Sequence, residues 1–487
     1  NEEAEWTTRF RVRLIWVVAI LAFAVVAARV TYLHIFDANQ QLLLSETNHI
    51  EQVRITAKRG SIVDKNGVVL AESVLKDGVA TASPSAWVRN YPLGPAGSIV
   101  LGYMSEVTSD ELGCLEGLCY GPGMLAGRSG VEKAQERRLR GNDGGLIQEI
   151  DARGNVVRER GRNESEDGTT VKLTLDSRLQ SIAYRAMDAA RVEDKSVKGA
   201  VVVMSMQGEI LALVSYPTYD PAEVPKYLSD TTENYFLNRA TTGQYPPGSV
   251  FKMVTAYAGL VSDKIESDTE IEDTGEIKIG EYRYGTWNFD QAGRKEGNLS
   301  LTRALSRSND IYFYRVGELV GVTDLVKMAR KFGLGSSTGI EIGGEAEGLV
   351  PDPLWKERRT GESWFLGNTY HLSIGQGDLL TTPLQVARMS VASVTGRVCR
   401  SKIVADSEAE CTDLGIPTPD IEAVKAGMRA ACATGGTAYP FFSFEPYVLC
   451  KTGTAQHAGQ VDEDDLPHAW ITVAYPGEIP ELVIPVP

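Results

Sequence analysis

The stretch GQYPPGSVFKMVTAYAGL, Gly243 to Leu260, decides how the chain is read. Two prolines and a glycine stop the preceding element, and a serine then opens a long apolar run. Proline is tolerated at a helix start because the first N–H groups there have no intrahelical partner. The pattern predicts a helix over about Phe251–Val261, with Ser249 in the first turn at the positive end of the dipole. Lys252 stands three positions on, and residues three apart share a helix face, so its amine can reach the Ser249 hydroxyl. Its neighbours Val250, Phe251, Met253 and Val254 are apolar. Burial disfavours an ammonium, and a neutral amine accepts a serine proton. The charge in a core-like helix thus reads as the base of an activated nucleophile.

Alone, S-x-x-K is a cheap pattern, because a capping serine and a snorkelling lysine give the same letters. Ser73-Val74-Leu75-Lys76 repeats it in a polar, β-rich stretch that offers Lys76 no buried environment. Two further elements separate Ser249 from that twin. Ser308-Asn309-Asp310 follows a short helical stretch and precedes the apolar IYFY, placing a hydroxyl and short polar groups where a proton can be relayed and a lysine held. Lys451-Thr452-Gly453-Thr454 ends an apolar strand, YVLCKTGT, and offers an amine and two hydroxyls to a substrate carboxylate. Gly453 lets another backbone come close. Backbone N–H groups of Ser249 and Thr454 are the expected oxyanion donors. The ordered set S-x-x-K, S-x-D, K-T-G is a specific signal for acyl transfer through a serine.

The 487 residues call for two or three domains. Hydrophobic residues at 43 % and charged residues at 23 % are ordinary globular values. A formal charge of −15 argues against nucleic acid, whose phosphates demand a basic face. Leu14 to Ala28 carries no charge, and with Arg29 as the one interruption the apolar character runs to Phe36, long enough to cross a bilayer. Arg9, Arg11 and Arg13 precede the span and Asp37 follows it, which predicts a cytoplasmic N-terminus and an exported remainder. Ala22-Phe23-Ala24 fits a signal-peptide cleavage site, but the length of the span favours a retained anchor.

Cys114 with Cys119 and Cys399 with Cys411 flank short loops and are candidates for local disulfides; Cys432 and Cys450 read as buried thiols, and no pairing is fixed. Histidine and cysteine spacing suggests no metal, His457 and His468 being simplest as surface or hydrogen-bonding residues. Asp64-Lys65-Asn66-Gly67 reads as a hairpin turn, a charged helix as Ser129–Arg140, and the polar Asn163–Gly168 as a linker. After it come a strand VKLTL, a helix capped by Asp176, strands at Ala200–Met204 and Ile210–Val214, and helices near Leu301–Ser306, Thr323–Phe332, Pro383–Thr395 and Ile421–Cys432. Strands at Tyr447–Thr454 and Trp470–Ala474 close the pattern, which predicts an α+β fold with one antiparallel sheet between helices. The expected domains are 1–36 (tail and transmembrane anchor), 37–168 (a β-rich pedestal) and 169–487 (the catalytic domain).

The chain resembles the class B penicillin-binding proteins, most of all those of the cell-elongation type, the penicillin-binding protein 2 group. The resemblance rests on RGSIVDKNG at Arg59–Gly67, GRSGVEKAQERRLRG at Gly127–Gly141, NRATTGQYPPGSVFK at Asn238–Lys252, and further on FGLGSSTGIEIGGEAEGLVPD, HLSIGQGDLLTTPLQVA and KTGTAQ. It implies a penicillin-sensitive D,D-transpeptidase that cross-links peptidoglycan stem peptides without a cofactor. In that family Ser249 would attack the D-Ala-D-Ala carbonyl and Lys252 would be the general base. Ser308 would pass a proton to the leaving amine with Asp310 orienting, while Lys451, Thr452, Gly453 and Thr454 would bind the donor. β-Lactams would be trapped in the same pocket, and a membrane glycosyltransferase of the SEDS family would be the partner. The alternatives are a D,D-carboxypeptidase or β-lactamase-like hydrolase, which needs no pedestal, and a β-lactam sensor that is acylated without turnover. Asp310 departs from the commoner S-x-N motif. Ala80–Gly102 is short for the head region that the resemblance implies, and the chain starts without methionine and stops at Pro487 before an implied C-terminal helix, so it is read as incomplete.

Overall fold

The computed structural model describes residues 2–35, 50–76, 87–115, 118–151, 153–456 and 467–486. Phe36, Asp37, His457 and part of the Ala80–Gly102 stretch lie outside them. The described chain divides into two units, each taken by itself.

The first unit holds 1–58, 75–88 and 141–167. Its helix α1 (Glu2–Ile35) contains an apolar stretch, Arg9–Ile35, with mean hydropathy 2.4 and none of it buried. A helix long enough to span a bilayer with no protein against its apolar side chains is stable only if lipid or a partner covers them. Strands β1 (Ile50–Ile55), β2 (Gly144–Ile150) and β3 (Val156–Asn163) form an antiparallel sheet with β2 in the middle. Asn163–Gly168 is therefore more than a linker. Asn163 ends β3, the Glu166 backbone bridges to Asn142, and Asp167 accepts the Lys58 N–H at 2.9 Å.

The second unit holds 59–74, 89–140 and 168–487. Near its start the Asp64 carboxylate is buried and accepts the N–H groups of Asn66 (2.7 Å) and Val68 (2.9 Å), closing the predicted turn. It also takes the Ser177 hydroxyl at 2.8 Å, at the start of α2 (Ser177–Glu193). Asp176 caps that helix as expected, accepting from the Arg178 and Leu179 amides. The predicted strand VKLTL shrinks to Val171–Lys172, paired with Ile62–Val63. The charged helix breaks at Gln135 into Gly130–Ala134 and Glu136–Leu139.

The main sheet has five antiparallel strands in the order β5-β4-β8-β7-β6: β4 (Gly199–Ser205), β5 (Ile210–Tyr216), β6 (Leu449–Ala455), β7 (His468–Tyr475) and β8 (Leu482–Val486). Every residue of β4 is buried because both faces of the sheet are covered. Side chains alternate across a strand. Val201 and Val203 accordingly pack with Ala183 and Met187 of α2, while Ala200, Val202 and Met204 join the large core on the opposite face. That core is built by α3 (Lys252–Val261), α4 (Leu301–Arg307), α5 (Asp310–Lys331), α6 (Leu366–Ser373), α7 (Pro383–Thr395) and α8 (Thr418–Ala431). α3 is apolar all round and lies at the centre, nine of its residues buried. The α+β sandwich expected from the sequence is present, with β8, α6 and the first half of α5 added to it.

All six cysteines are paired: Cys114–Cys119, Cys399–Cys411 and Cys432–Cys450. The third pair corrects the reading of two buried thiols. Their apolar context reflects a bond between the C-terminal end of α8 and strand β6, 18 residues further on.

Candidate active site

Ser249 lies not in an α-helical turn but in a 3₁₀ turn, Gly248–Phe251, that leads into α3. Side chains three apart are eclipsed in such a turn, so Ser249 and Lys252 still share a face. Gly248 has φ +55°, and a Cβ there would sit 2.7 Å from the Thr454 carbonyl oxygen. A Cβ on Gly453 would meet the Pro247 oxygen and the Val250 nitrogen at 3.2 Å. Two glycines therefore let the serine turn and strand β6 touch backbone to backbone.

Ser249 is half-buried, and its hydroxyl makes no hydrogen bond among the described residues; it faces a cleft of about 1030 Å³. Lys252, by contrast, is fully buried. Its ammonium does not bond Ser249. It donates to the Ser308 carbonyl at 2.7 Å and to Asp310 Oδ1 at 2.7 Å, with Ser308 Oγ at 3.3 Å. Ser308 caps α4 in a left-handed conformation, φ +54°, which a non-glycine residue adopts only where its surroundings hold it. Asn309 then caps α5 by accepting the Tyr312 N–H, and Asp310 begins that helix. Lys451 is fully buried too, donating to Ser308 Oγ at 2.9 Å and to the Thr452 carbonyl at 2.7 Å. The Ser308 hydroxyl thus stands between two lysine amines.

Burial pulls the Lys252 pKa below the ordinary lysine value, and the Asp310 carboxylate partly opposes this. Burial moves Lys451 well below that value, and the positive charge of Lys252 adds to the fall. One carboxylate serves two buried ammonium groups, so the site favours releasing a proton. Such a cluster can take a proton from a nearby hydroxyl and pass it along Ser308.

Beyond these, Thr452 shares a 2.6 Å hydrogen bond with Thr437, while Gly453 and the exposed Thr454 line the cleft. Gln376 donates from Nε2 to the Thr454 carbonyl at 3.1 Å, and the loop bearing it is held by Gly248 N–H on the Gly375 carbonyl at 2.8 Å. Sequence reasoning quoted this IGQGD loop without giving Gln376 a task. A polar residue between two glycines of positive φ was the available signal. Ser73 is buried and accepts a hydrogen bond from Arg89, and Lys76 is exposed, so the twin lysine lacks the burial that would retune it. His468 is half-buried with its ring 4.9 Å from Tyr245. Among the described residues no cluster suited to a metal ion is found.

The profile of the penicillin binding protein transpeptidase domain matches residues 199–486, and that of the penicillin-binding protein dimerisation domain matches 75–173. The peptidoglycan D,D-transpeptidase MrdA of Acinetobacter baumannii is 29 % identical over 445 residues, covering 76 % of this chain and 65 % of the relative. Among solved structures, the complex between penicillin-binding protein 2 (PBP2) and MreC from Helicobacter pylori contains a chain 26 % identical with a TM-score of 0.76, covering 90 % of this chain and 94 % of that one. A peptidoglycan synthase complex, described as coordinating polymerization and crosslinking, contains a chain 27 % identical with a TM-score of 0.78, covering 98 % and 94 %. The chain spans just under two thirds of the length of the curated relative. With the transpeptidase profile over more than half of its residues and PBP2 chains as its structural neighbours, the chain belongs to the class B penicillin-binding proteins of the PBP2-like type.

Proposed function

We propose that the chain is a serine D,D-transpeptidase that cross-links peptidoglycan stem peptides in cell-wall elongation and cell shape. The observation that carries this is the unbonded Ser249 hydroxyl at a cleft, backed by two buried lysines that both bond the Ser308 hydroxyl, one of them paired with Asp310. In the first step Ser249 Oγ bonds to the carbonyl carbon of the penultimate D-alanine. Its proton passes to neutral Lys252, the Ser249 and Thr454 amides receive the oxyanion, and the peptide C–N bond breaks. Ser308 delivers the proton to the leaving nitrogen of the terminal D-alanine, with Asp310 orienting Lys252. In the second step an acceptor amine attacks the ester carbon, gives its proton to the same relay, and Ser249 regains its hydrogen. Thr452 and Thr454 hydroxyls meet the donor carboxylate, and Lys451, buried behind them, acts on it through its field and on Ser308 directly.

The same serine would trap β-lactams. Domains 1–36, 37–168 and 169–487 serve as anchor, pedestal and catalytic domain. The exposed apolar helix α1 supports a single-pass anchor in the cytoplasmic membrane, and the arginines before it support a cytoplasmic N-terminus. Likeness to a chain of a peptidoglycan synthase complex supports a SEDS-family glycosyltransferase as partner. Labelling with a fluorescent penicillin tests the core of this: wild type labels and Ser249→Ala does not. Labelling that survives Ser249→Ala and is lost in Ser73→Ala sinks it. With lipid-linked glycan polymer and the partner present, cross-linked dimers are expected; trimmed tetrapeptide alone would mean a carboxypeptidase.

A further inference from the structure

Two amides receive the oxyanion in the proposed reaction, and they come from separate elements: Ser249 from the turn before α3, Thr454 from strand β6. Neither element alone sets the gap between them. The segment Ile374–Asp378, which follows α6, touches both. Gly375 accepts the Gly248 N–H at 2.8 Å, and a Cβ on Gly375 would collide with the Gly248 carbonyl oxygen. That carbonyl shares a rigid peptide plane with the Ser249 N–H, so whatever restrains one orients the other. One residue on, Gln376 donates from Nε2 to the Thr454 carbonyl at 3.1 Å.

The side of the strand that Gln376 reaches decides its role. In an antiparallel strand the N–H and C=O of one residue face the same side, and successive residues alternate. The Thr452 and Thr454 carbonyls are both taken by side chains, those of Lys451 (2.7 Å) and Gln376, which puts this pair of residues on the border away from β7. The Thr454 N–H therefore faces that border too, beside the carbonyl that Gln376 holds. The holder is itself fixed. The Gln376 N–H donates to the His371 carbonyl at 2.8 Å in the last turn of α6, and Thr255 of α3 donates its hydroxyl to the Ser373 carbonyl at 2.7 Å. Serine helix, loop and strand thus make one frame, and Gln376 supplies the bond that closes it onto β6. We infer that Gln376 is a positioning residue for acylation: it holds Thr454 while Gly375 holds the Gly248 peptide, and together they fix the spacing of the two oxyanion donors. Such donors act only where charge develops, so a shifted strand costs rate and not prior binding. This rests on the transpeptidase reading, which assigns the two amides, and adds a residue to its first step.

The test reads fluorescent-penicillin acylation of the detergent-solubilised full chain, with prior binding and the bond-forming rate separated by varying the penicillin concentration. Gln376→Leu, which fills similar space without a donor, should slow bond formation by about 10- to 100-fold and leave prior binding little changed. Gln376→Glu makes the contact switchable. Protonated, its carboxyl donates to the Thr454 carbonyl and should acylate near the wild-type rate; ionised, it sets oxygen against oxygen and should drop to the level of Gln376→Leu. The ratio of its rate to wild type should therefore fall as pH rises through the pKa of that carboxyl, which partial burial lifts above the usual carboxylate range. The Gln376→Leu ratio should stay level, and this uncharged variant separates a lost donor from the field of a new charge. Taking ratios removes the pH dependence of Lys252, common to all three proteins. A side chain that merely filled the loop would leave the Gln376→Glu ratio flat. A flat ratio, or Gln376→Leu acylating like wild type, overturns the positioning role and leaves the transpeptidase standing. If Gln376→Leu does not fold, Gln376→Met takes its place as the uncharged comparison. A wild-type chain that never acylates overturns both.

Discussion

Two buried ionic clusters in the same unit make an instructive pair. Around Glu132, Arg59 and Arg89 donate from Nε at 2.6 and 2.7 Å, and Arg59 also donates to Glu136 at 2.7 Å. Tyr120 adds a 3.0 Å hydrogen bond to Glu136. Two guanidinium groups face two carboxylates, and despite burial the Arg59 pKa is raised by its acidic partners. Around Ser308, two ammonium groups face the single carboxylate of Asp310, and both lysines are pushed down. Burial is alike in the two places; the charge balance is not. A balanced cluster holds its protons and serves as a joint, whereas an unbalanced one is relieved by losing a proton or by accepting an anion. Those are the two things the proposed reaction asks of it.

The sharpest way to break this contrast is to remove the proposed base. Lys252→Met should slow β-lactam acylation by roughly 10²–10⁴-fold, read from the labelling rate, with little loss of folding. Glu132→Gln should do the reverse. Cutting a buried pair leaves its partners uncompensated at about 3–5 kcal/mol, so the melting temperature drops sharply while the folded fraction still labels at the wild-type rate. Equal labelling losses per folded molecule in both variants would erase the distinction. Replacing Cys432 and Cys450 by alanine should cost about 3 kcal/mol in stability, since the bond closes an 18-residue separation, and denaturant titration would read it.

The smallest expected effect sharpens the comparison most. In the proposed reaction acylation requires neutral Lys252, so its rate should rise with pH through the Lys252 pKa. Asp310 stabilises the ammonium and holds that pKa up against burial. Asp310→Asn should therefore move the rising limb to lower pH. A limb that stays put or moves upward would show that Asp310 does not set the charge of Lys252.

Much of this was legible in the sequence, for a physical reason. The three motifs state residue types whose chemistry is local, and a lysine among Val250, Phe251, Met253 and Val254 announces burial by its neighbours. The boundaries of α7 and the cap at Asp176 were legible because capping is decided within one turn. What was hidden depends on partners far along the chain. The Ser308–Asp310 motif offered a place to hold a lysine, but that Lys252 bonds there and not to Ser249 comes from packing 56 and 58 residues away. The Cys432–Cys450 bond looked like two apolar thiols because residues on either side of it are core.

Strand β6 carries one more consequence. It is the last strand of its sheet, so one row of its backbone N–H and C=O groups has no neighbouring strand to pair with. The covalent tie to α8 gives it the fixity that a sixth strand would otherwise supply, without occupying that row. An unpaired row of this kind can accept an extended segment as a further strand, aligned by main-chain bonds that do not depend on its side chains. The strand is anchored from behind so that its open border can serve as a template.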